Sequence, residues 1–247
     1  MPVVPLDYPK ARVLLDVRTP IEAAYRAGAC AKEPWTVAFV EPMHRGDVLW
    51  DVGANVGSYA LLAGALGFRA VAIEPIESNF AALTRNLHLN SPTLREKIMA
   101  VKVALGATNG VTTMVQQSTP GYGEGGEQGP PEGRETRDVQ QVTLDDLVTA
   151  RELPFPTHVK IDVDGHELGV LAGAEGTFRQ ATPLRALMIE VQRSLGPRVD
   201  DLLALWGWHR TATFDERNGQ RIPDMTYGMF ERVESGLGNQ VEREGVS

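Results

Sequence analysis

The stretch VLWDVGANVGSYALLAGAL, residues 48–66, decides the fold. Val48 to Val52 is a short apolar run broken only by Asp51, the pattern of a strand covered on both faces. Gly57 to Leu66 reads as the helix that follows it. Between them lies Asp51-Val-Gly-Ala-Asn-Val-Gly57. Gly53 lets the chain turn sharply, and Gly57 lets the helix start come close to a ligand. Exposed N–H groups at such a start suit an anionic or carboxylate group.

The same alternation continues outward. Ala70 to Ile73 reads as a second strand and Glu77 to Asn90 as its helix, with Phe80, Leu83 and Leu87 at helical spacing. Val101 to Leu105 is expected to be a third strand, and His158 to Val163 and Leu184 to Val191 two more. Helices are expected over Glu167 to Phe178 and Val199 to Leu205. Thr143 reads as the N-cap of a short helix with Asp146 at its third position. Val111 to Gln116 and Val139 to Thr143 are expected strands, as are Trp208 to Phe214 and Tyr227 to Arg232. Alternating strands and helices predict an α/β fold, a mostly parallel sheet with helices on both faces. Such sheets bind ligands outside the carboxyl ends of their strands.

Three cofactor classes can be weighed at the first loop. A dinucleotide fingerprint would need glycine where Asn55 and Ser58 stand, and a phosphate-binding Gly-Lys-Ser/Thr loop is absent. Asp51, two residues before Gly53, fits S-adenosyl-L-methionine better, because a carboxylate beneath the loop can meet that cofactor's cationic end. Glu74 ends the second strand, 23 positions beyond Asp51. An acidic residue there can accept both ribose hydroxyls. The candidate cofactor set is Asp51, Gly53, Ala54, Asn55, Gly57, Glu74, Pro75, Asn79 and Ala104.

These residues carry a family likeness. The chain resembles the FkbM family of SAM-dependent methyltransferases through Asp51 to Tyr59, Ile73-Glu-Pro75 with Asn79, Asn86 and Asn90, Ala104-Leu105, Thr143-Leu-Asp145, Ile189-Glu-Val191, and Lys160-Ile-Asp-Val-Asp-Gly-His-Glu167 with Leu171, Gly173 and Ala174. The likeness runs from about Asp47 to Val191. It departs from the pattern at Asp164, where the family more often has Glu. It implies a Rossmann-like, seven-stranded sheet of order 3-2-1-4-5-7-6 with the last strand antiparallel. It also implies transfer of a methyl group, usually to a hydroxyl oxygen of a sugar or secondary metabolite. Asp51, Gly53, Asn55, Gly57 and Glu74 carry over as cofactor contacts, with Asn79 near the ribose and Ala104-Leu105 near the adenine.

A second acidic group lies at Lys160 to Glu167. Side chains alternate along a strand, so Lys160, Asp162 and Asp164 point the same way while it lasts. A lysine in a doubly covered strand needs a partner, and Asp162 and Glu190 are the candidates. The catalytic candidates are therefore Asp162, to orient the cofactor or accept the substrate's proton, with Lys160 and Glu190 fixing charge and geometry. The competing reading makes Lys160 and Glu190 a structural ion pair. Asp164 reads as a cap for the helix near Glu167, and His166 as part of that helix start. Asp162, Asp164 and Glu190 have the chemistry of a hard-cation site, but the lysine beside them competes, so no metal is expected.

Among 247 residues, 43% are hydrophobic and 23% charged, which excludes a mostly disordered chain. The net charge of −8 argues against nucleic acid or an anionic membrane as partner. The single cysteine, Cys30, forms no disulfide within the chain. With no signal-peptide pattern and no long apolar run, a cytoplasmic protein is expected. The organisation read from the chain is a helical N-terminal cap over 1–46, a methyltransferase domain over 47–233 with a Gly/Pro loop at 117–137, and a polar tail over 234–247. Ser118 to Arg134 holds six glycines and three prolines, so it reads as a loop, either a lid or an insertion. Trp35 and Tyr59 read as cofactor neighbours or core residues, and Trp206 and Trp208 as core anchors. The function expected is O-methylation of a small-molecule hydroxyl acceptor. The alternatives are N-, protein or RNA methylation, or a module that binds a nucleoside ligand without catalysis.

Overall fold

The computed structural model describes residues 3–18, 20, 23–115, 136–150, 152–180, 183–217, 220–221 and 224–232. Most of the Gly/Pro loop, with Tyr122, and the polar tail lie outside them, as does the lid reading.

The strands are β1 Val3–Pro5, β2 Leu14–Asp16, β3 Val48–Val52, β4 Arg69–Ile73, β5 Ile98–Val101, β6 Ala104–Leu105, β7 Gly110–Val115 and β8 Thr136–Val142. They continue with β9 His158–Ile161, β10 Ala186–Gln192, β11 Trp208–Phe214, the short β12 Glu216–Arg217 and β13 Gln220–Arg221, and β14 Met225–Arg232. The main sheet has the order β11-β14-β10-β9-β3-β4-β5. Numbered by appearance within the sheet, this is 3-2-1-4-5-7-6, the order expected from the family likeness. β9, β3, β4, β5 and β10 run parallel, and β14 is antiparallel to both neighbours.

The helices are α1 Ala29–Lys32, α2 Pro34–Val40, α3 Ser58–Leu66, α4 Glu77–Leu89, α5 Pro92–Arg95, α6 Leu144–Thr149, α7 Glu167–Ala172, α8 Glu175–Arg179 and α9 Gly196–Leu205. One apolar layer joins α1 to α4 to the sheet through Cys30, Phe39, Leu61, Leu62, Leu83 and Met188. The other joins α6 to α9 through Leu144, Leu171, Phe178, Leu203, Trp206 and Trp208. The two tryptophans anchor this layer as expected, Trp208 Nε1 donating to Phe178 O at 2.8 Å. All five β3 residues are buried, as a central parallel strand requires. Thr143 caps α6, its hydroxyl accepting from Asp146 N.

The N-terminal segment is more than helical. β1 and β2 form an antiparallel ribbon, followed by one π turn, Ala23–Ala27, and then α1 and α2. Side-chain amides of α4 dock the ribbon. Asn90 pairs with both backbone groups of Leu14 at 2.9 Å. Asn86 accepts from Asp16 N at 2.8 Å and donates to Val56 O at 2.9 Å. The Asp7 carboxylate accepts from Cys30 and Ala31 N–H groups at the start of α1.

Three expected elements differ. The apolar run at Val101–Leu105 is not one strand: β5 ends the main sheet at Val101, and Ala104–Leu105 pairs with β8 in a separate three-stranded sheet. Strand β9 stops at Ile161, so Asp162 lies just past it. The helix expected over Glu167 to Phe178 breaks into α7 and α8 at Gly173. There, a side chain would overlap the Gly106 carbonyl of the neighbouring turn, and Asp145 accepts from Gly176 and Thr177 N–H to open α8. No helix among the described residues is long and apolar enough to cross a membrane.

Candidate active site

The loop after β3 is folded back on β4 and β9. Gly53 and Ala54 N–H groups both donate to Ile73 O at 2.9 Å. Gly53 has φ +84°, and an added Cβ would lie 2.9 Å from the Asp162 carbonyl carbon and closer still to its oxygen. Gly57 also has positive φ, and a side chain there would overlap Leu83 of α4. Asn55 takes φ +52°, a conformation that asparagine tolerates better than most residues.

Glu74 closes the other side of this loop. Its Oε2 accepts from Asn55 N at 2.9 Å, and its Oε1 from Ile76 N at 2.8 Å and Asn79 Nδ2 at 3.4 Å. Burial pushes this carboxyl up to about 7, against the pull of those donors. Gly53, Pro75, Ala104, Val163, His166 and Gly169 help to line an adjoining cavity of about 330 Å³. Thr112, Met114 and Gln141 reach it from β7 and β8. Sequence reading missed these ribbon residues, because only the β6–β8 pairing brings them there.

The second group is a row across the sheet. Asp51 is the cross-strand neighbour of Lys160, and Glu190 that of Tyr227. Asp162 stands one step past the β9–β10 pairing of Ile161 with Ile189, which puts it beside Glu190. Lys160 Nζ donates to Asp162 Oδ2 at 2.6 Å and lies 5.2 Å from the centre of the Tyr59 ring. Of the two partners expected for Lys160, the hydrogen bond goes to Asp162. Glu190 instead lies between Asp162, with carboxylate oxygens within 4.8 Å, and its cross-strand partner Tyr227.

Asp51 is 1% exposed. Its Oδ2 accepts from Ala60 N at 3.1 Å, so it does help to cap α3, while its Oδ1 has no hydrogen-bond partner among the described residues. Asn55 Oδ1 is buried and likewise unpartnered. Burial drives Asp51 up to about 6, although Lys160 opposes this. Burial alone would lower Lys160, but Asp162, Asp51 and Glu33 together hold it above its ordinary value. Burial also works against ionised Asp162, yet Lys160 at 2.6 Å, with the neighbouring Glu190, holds its carboxyl well below the usual range.

Asp164 does not cap α7. His166 occupies the N-cap position without a side-chain cap bond. Glu167 Oε1 accepts from Gly165 N at 3.0 Å and Val163 N at 3.3 Å. Asp164 has φ +53° and turns toward the row, where one of its oxygens lies within 4.8 Å of oxygens of Asp162 and Glu190. Burial, then Asp162 and Glu167, push it up to about 7.

Glu33 and Tyr227 were also missed as members of this group, which Tyr59 joins through its ring beside Lys160. Glu33 is 2% exposed at the start of α2. Trp35 stacks on Phe214 at 5.7 Å and packs on Tyr227 at 4.9 Å, the core use of an aromatic. Tyr59 Oη donates to Ala29 O at 3.0 Å.

Residues 51–218 match the family described as the methyltransferase FkbM domain. The chain belongs to the FkbM methyltransferase family. This FkbM chain is 28% identical over 159 residues to a hexuronic acid methyltransferase of Haloferax volcanii, covering 64% of its own length and 62% of the relative's. It thus spans about three fifths of that curated relative. Among solved structures, an FkbM methyltransferase of Methylobacillus flagellatus KT superposes with a TM-score of 0.51 at 16% identity, over 86% of this chain and 48% of that one. A putative RNA methyltransferase of Pyrococcus horikoshii gives 0.50 at 12% identity, over 94% of both chains. At such identities the structures speak for the Rossmann-like fold alone.

Proposed function

We propose that the protein is a SAM-dependent O-methyltransferase acting on a hydroxyl of a sugar or related small metabolite in the cytoplasm. The observation that carries this reading is the buried Asp51 Oδ1, unpartnered among the described residues, beside the Lys160–Asp162–Glu190 row. That oxygen suits an ammonium, which the methionine end of the cofactor offers. Asn55 Oδ1 is a second open acceptor, and Gly53 lets the loop close on the Asp162 carbonyl, which a side chain would block. Ala54, Asn55 and Gly57 shape the loop, Glu74 receives the ribose hydroxyls, and Pro75, Asn79 and Ala104 face the ribose and adenine. Glu33 and Trp35 bring the N-terminal cap to the row, Glu33 acting on Lys160 and Trp35 packing on Tyr227.

S-adenosyl-L-methionine, when bound, supplies an electrophilic methyl group on a sulfonium. Asp162 is held ionised at the edge of the row, its side chain 22% exposed, where it can orient an acceptor hydroxyl and take its proton. Such assistance is typically worth about 10²–10⁴-fold. Lys160 and Glu190 set its charge and position. Asp162, Asp164 and Glu190 are spaced like the ligands of a cation. The Lys160 ammonium already meets Asp162 there, so catalysis is proposed to need no metal. The relative that acts on a hexuronic acid supports a sugar acceptor. The net charge of −8 counts against RNA.

Calorimetric titration with S-adenosylhomocysteine and with NAD tests this reading, using wild type and Glu74→Ala. Binding of the first ligand only, weakened at least tenfold in the variant, is expected. Binding of NAD instead, or of neither, overturns it. A protein that binds the cofactor yet methylates no acceptor would be a nucleoside-binding module.

A further inference from the structure

The row holds more acid than base. Asp51, Asp162 and Glu190 lie at the carboxyl edge of β3, β9 and β10, with Asp164 beside them and Glu33 above. Lys160 is the ammonium among them, and Lys32 bonds Glu33 at 2.7 Å further out. Tyr59 and Tyr227 face the same space with neutral hydroxyls. Cys30 lies beyond Tyr59, Glu167 lies behind Asp164, and Arg26 and Glu74 act on Asp164 from across the cleft.

Asp162 and Glu190 bring two carboxyl groups within 4.8 Å of each other. Two ionised carboxylates this close inside a protein repel each other strongly, so the pair holds on to one proton. Burial and the charge of Asp162 keep that proton on Glu190, whose carboxyl is pushed far up. Tyr227 is the cross-strand neighbour of Glu190 on β14.

We propose that the Asp162–Glu190 pair is a proton store governed by the charge of the bound ligand: it gives up its shared proton when the sulfonium cofactor binds, and takes the acceptor's hydroxyl proton during transfer. This rests on the function proposed above. A carboxyl pair that already holds one proton is a poor acceptor of a second, whereas the doubly ionised pair is a much stronger base. The base is thereby made only when a cation enters the site. In the transfer, the acceptor O–H bond breaks and its proton passes to the pair. The new C–O bond forms as the C–S bond breaks, and that electron pair stays on sulfur. The pocket loses one sulfonium charge and gains one proton, so its net charge is unchanged. The pair keeps the proton through product release, and the next sulfonium expels it.

The test is calorimetry with S-adenosylmethionine and, separately, S-adenosylhomocysteine, without acceptor, in two buffers of different ionisation heat. Near neutral pH the sulfonium ligand is expected to release about one proton more than the thioether. Its affinity should accordingly gain on that of the thioether by up to about tenfold per unit rise in pH. Glu190→Gln keeps a hydrogen-bond donor toward Asp162 but has no proton to lose, so both ligands should still bind and the difference should vanish. Equal proton counts for the two ligands in wild type overturn the store, as does a difference that survives in Glu190→Gln. Should the variant not fold, the wild-type comparison decides. Failure of either ligand to bind wild type instead removes the functional reading, and the store falls with it.

Discussion

Gly53→Ala tests the geometry on which the whole site depends. Gly53 sits at φ +84°, and its added Cβ would press on the backbone carbonyl of Asp162, carbon and oxygen alike. A side chain could rotate away, but this carbonyl is tied into the sheet because Asp162 N donates to Val52 O at 3.0 Å. Relief therefore needs β3 and the end of β9 to part by about an ångström, which breaks that bond. A left-handed alanine costs about 1–2 kcal/mol, and a buried backbone bond lost without replacement costs about 1–3 kcal/mol. A loss of about 3 kcal/mol or more in urea unfolding is expected.

Gly46→Ala is the control. Gly46 has φ +100° with nothing within 4 Å of the added Cβ, so it bears only the conformational cost of about 1 kcal/mol. Because Asp162 moves relative to Asp51, Gly53→Ala should also weaken S-adenosylhomocysteine binding by about 10²-fold, while Gly46→Ala leaves it unchanged. Gly53→Ala unfolding within about 0.5 kcal/mol of Gly46→Ala, with ligand affinity retained, would refute the close approach and the reasoning built on it.

Two further outcomes are expected. Glu74 is raised from 4.5 to about 7 by burial, so its contribution to stability is full below about 4.5 and is lost as pH rises through about 7. Glu74→Gln removes this dependence. Without ligand, the stability of wild type relative to Glu74→Gln should fall by roughly 3 kcal/mol between pH 4 and pH 8, measured by urea unfolding at each pH; parallel profiles would mean that Glu74 does not titrate there. Asn86→Ala leaves Asp16 N and Val56 O without their amide partner, so it should cost about 2–3 kcal/mol and speed proteolysis of the N-terminal segment. An unchanged cleavage rate would mean that the ribbon is held by other contacts.

The stretch from β3 to α4 was legible almost residue by residue, because each signal there is local: an apolar run, a glycine turn, then helical spacing. Val101 to Leu105 was misread because its apolar residues are continuous in sequence while their partners are not. Val101 pairs with Ile73, and Leu105 with Val142. The candidate site divided the same way. Asp51, Glu74, Lys160 and Asp162 stand out in their own motifs. Tyr227 stands in no motif, and only its pairing with Glu190 brings it to the row. Glu33 comes from an unrelated helix. Asn86 and Asn90 were visible as family markers, but their reason is packing: two amides hold a ribbon strand that the main sheet does not pair.

The charges at the two ends of the sheet differ in kind. At the amino end, Asp47 pairs with Arg185, whose side chain is 51% exposed, so water shares the load. At the carboxyl end, the Lys160 side chain is 3% exposed and Asp51 is 1% exposed. A buried ion pair of this type seldom stabilises a fold better than apolar residues of the same size. Stability therefore gives little reason to keep Lys160 in a strand otherwise filled by Val159 and Ile161, both fully buried. The arrangement makes sense at the edge where α/β sheets bind their ligands. There, an excess of buried carboxylate with an open oxygen on Asp51 is a cost to the empty protein that a cationic ligand offsets. On the proposed function, the site favours a sulfonium for the same reason that it is unfavourable without one.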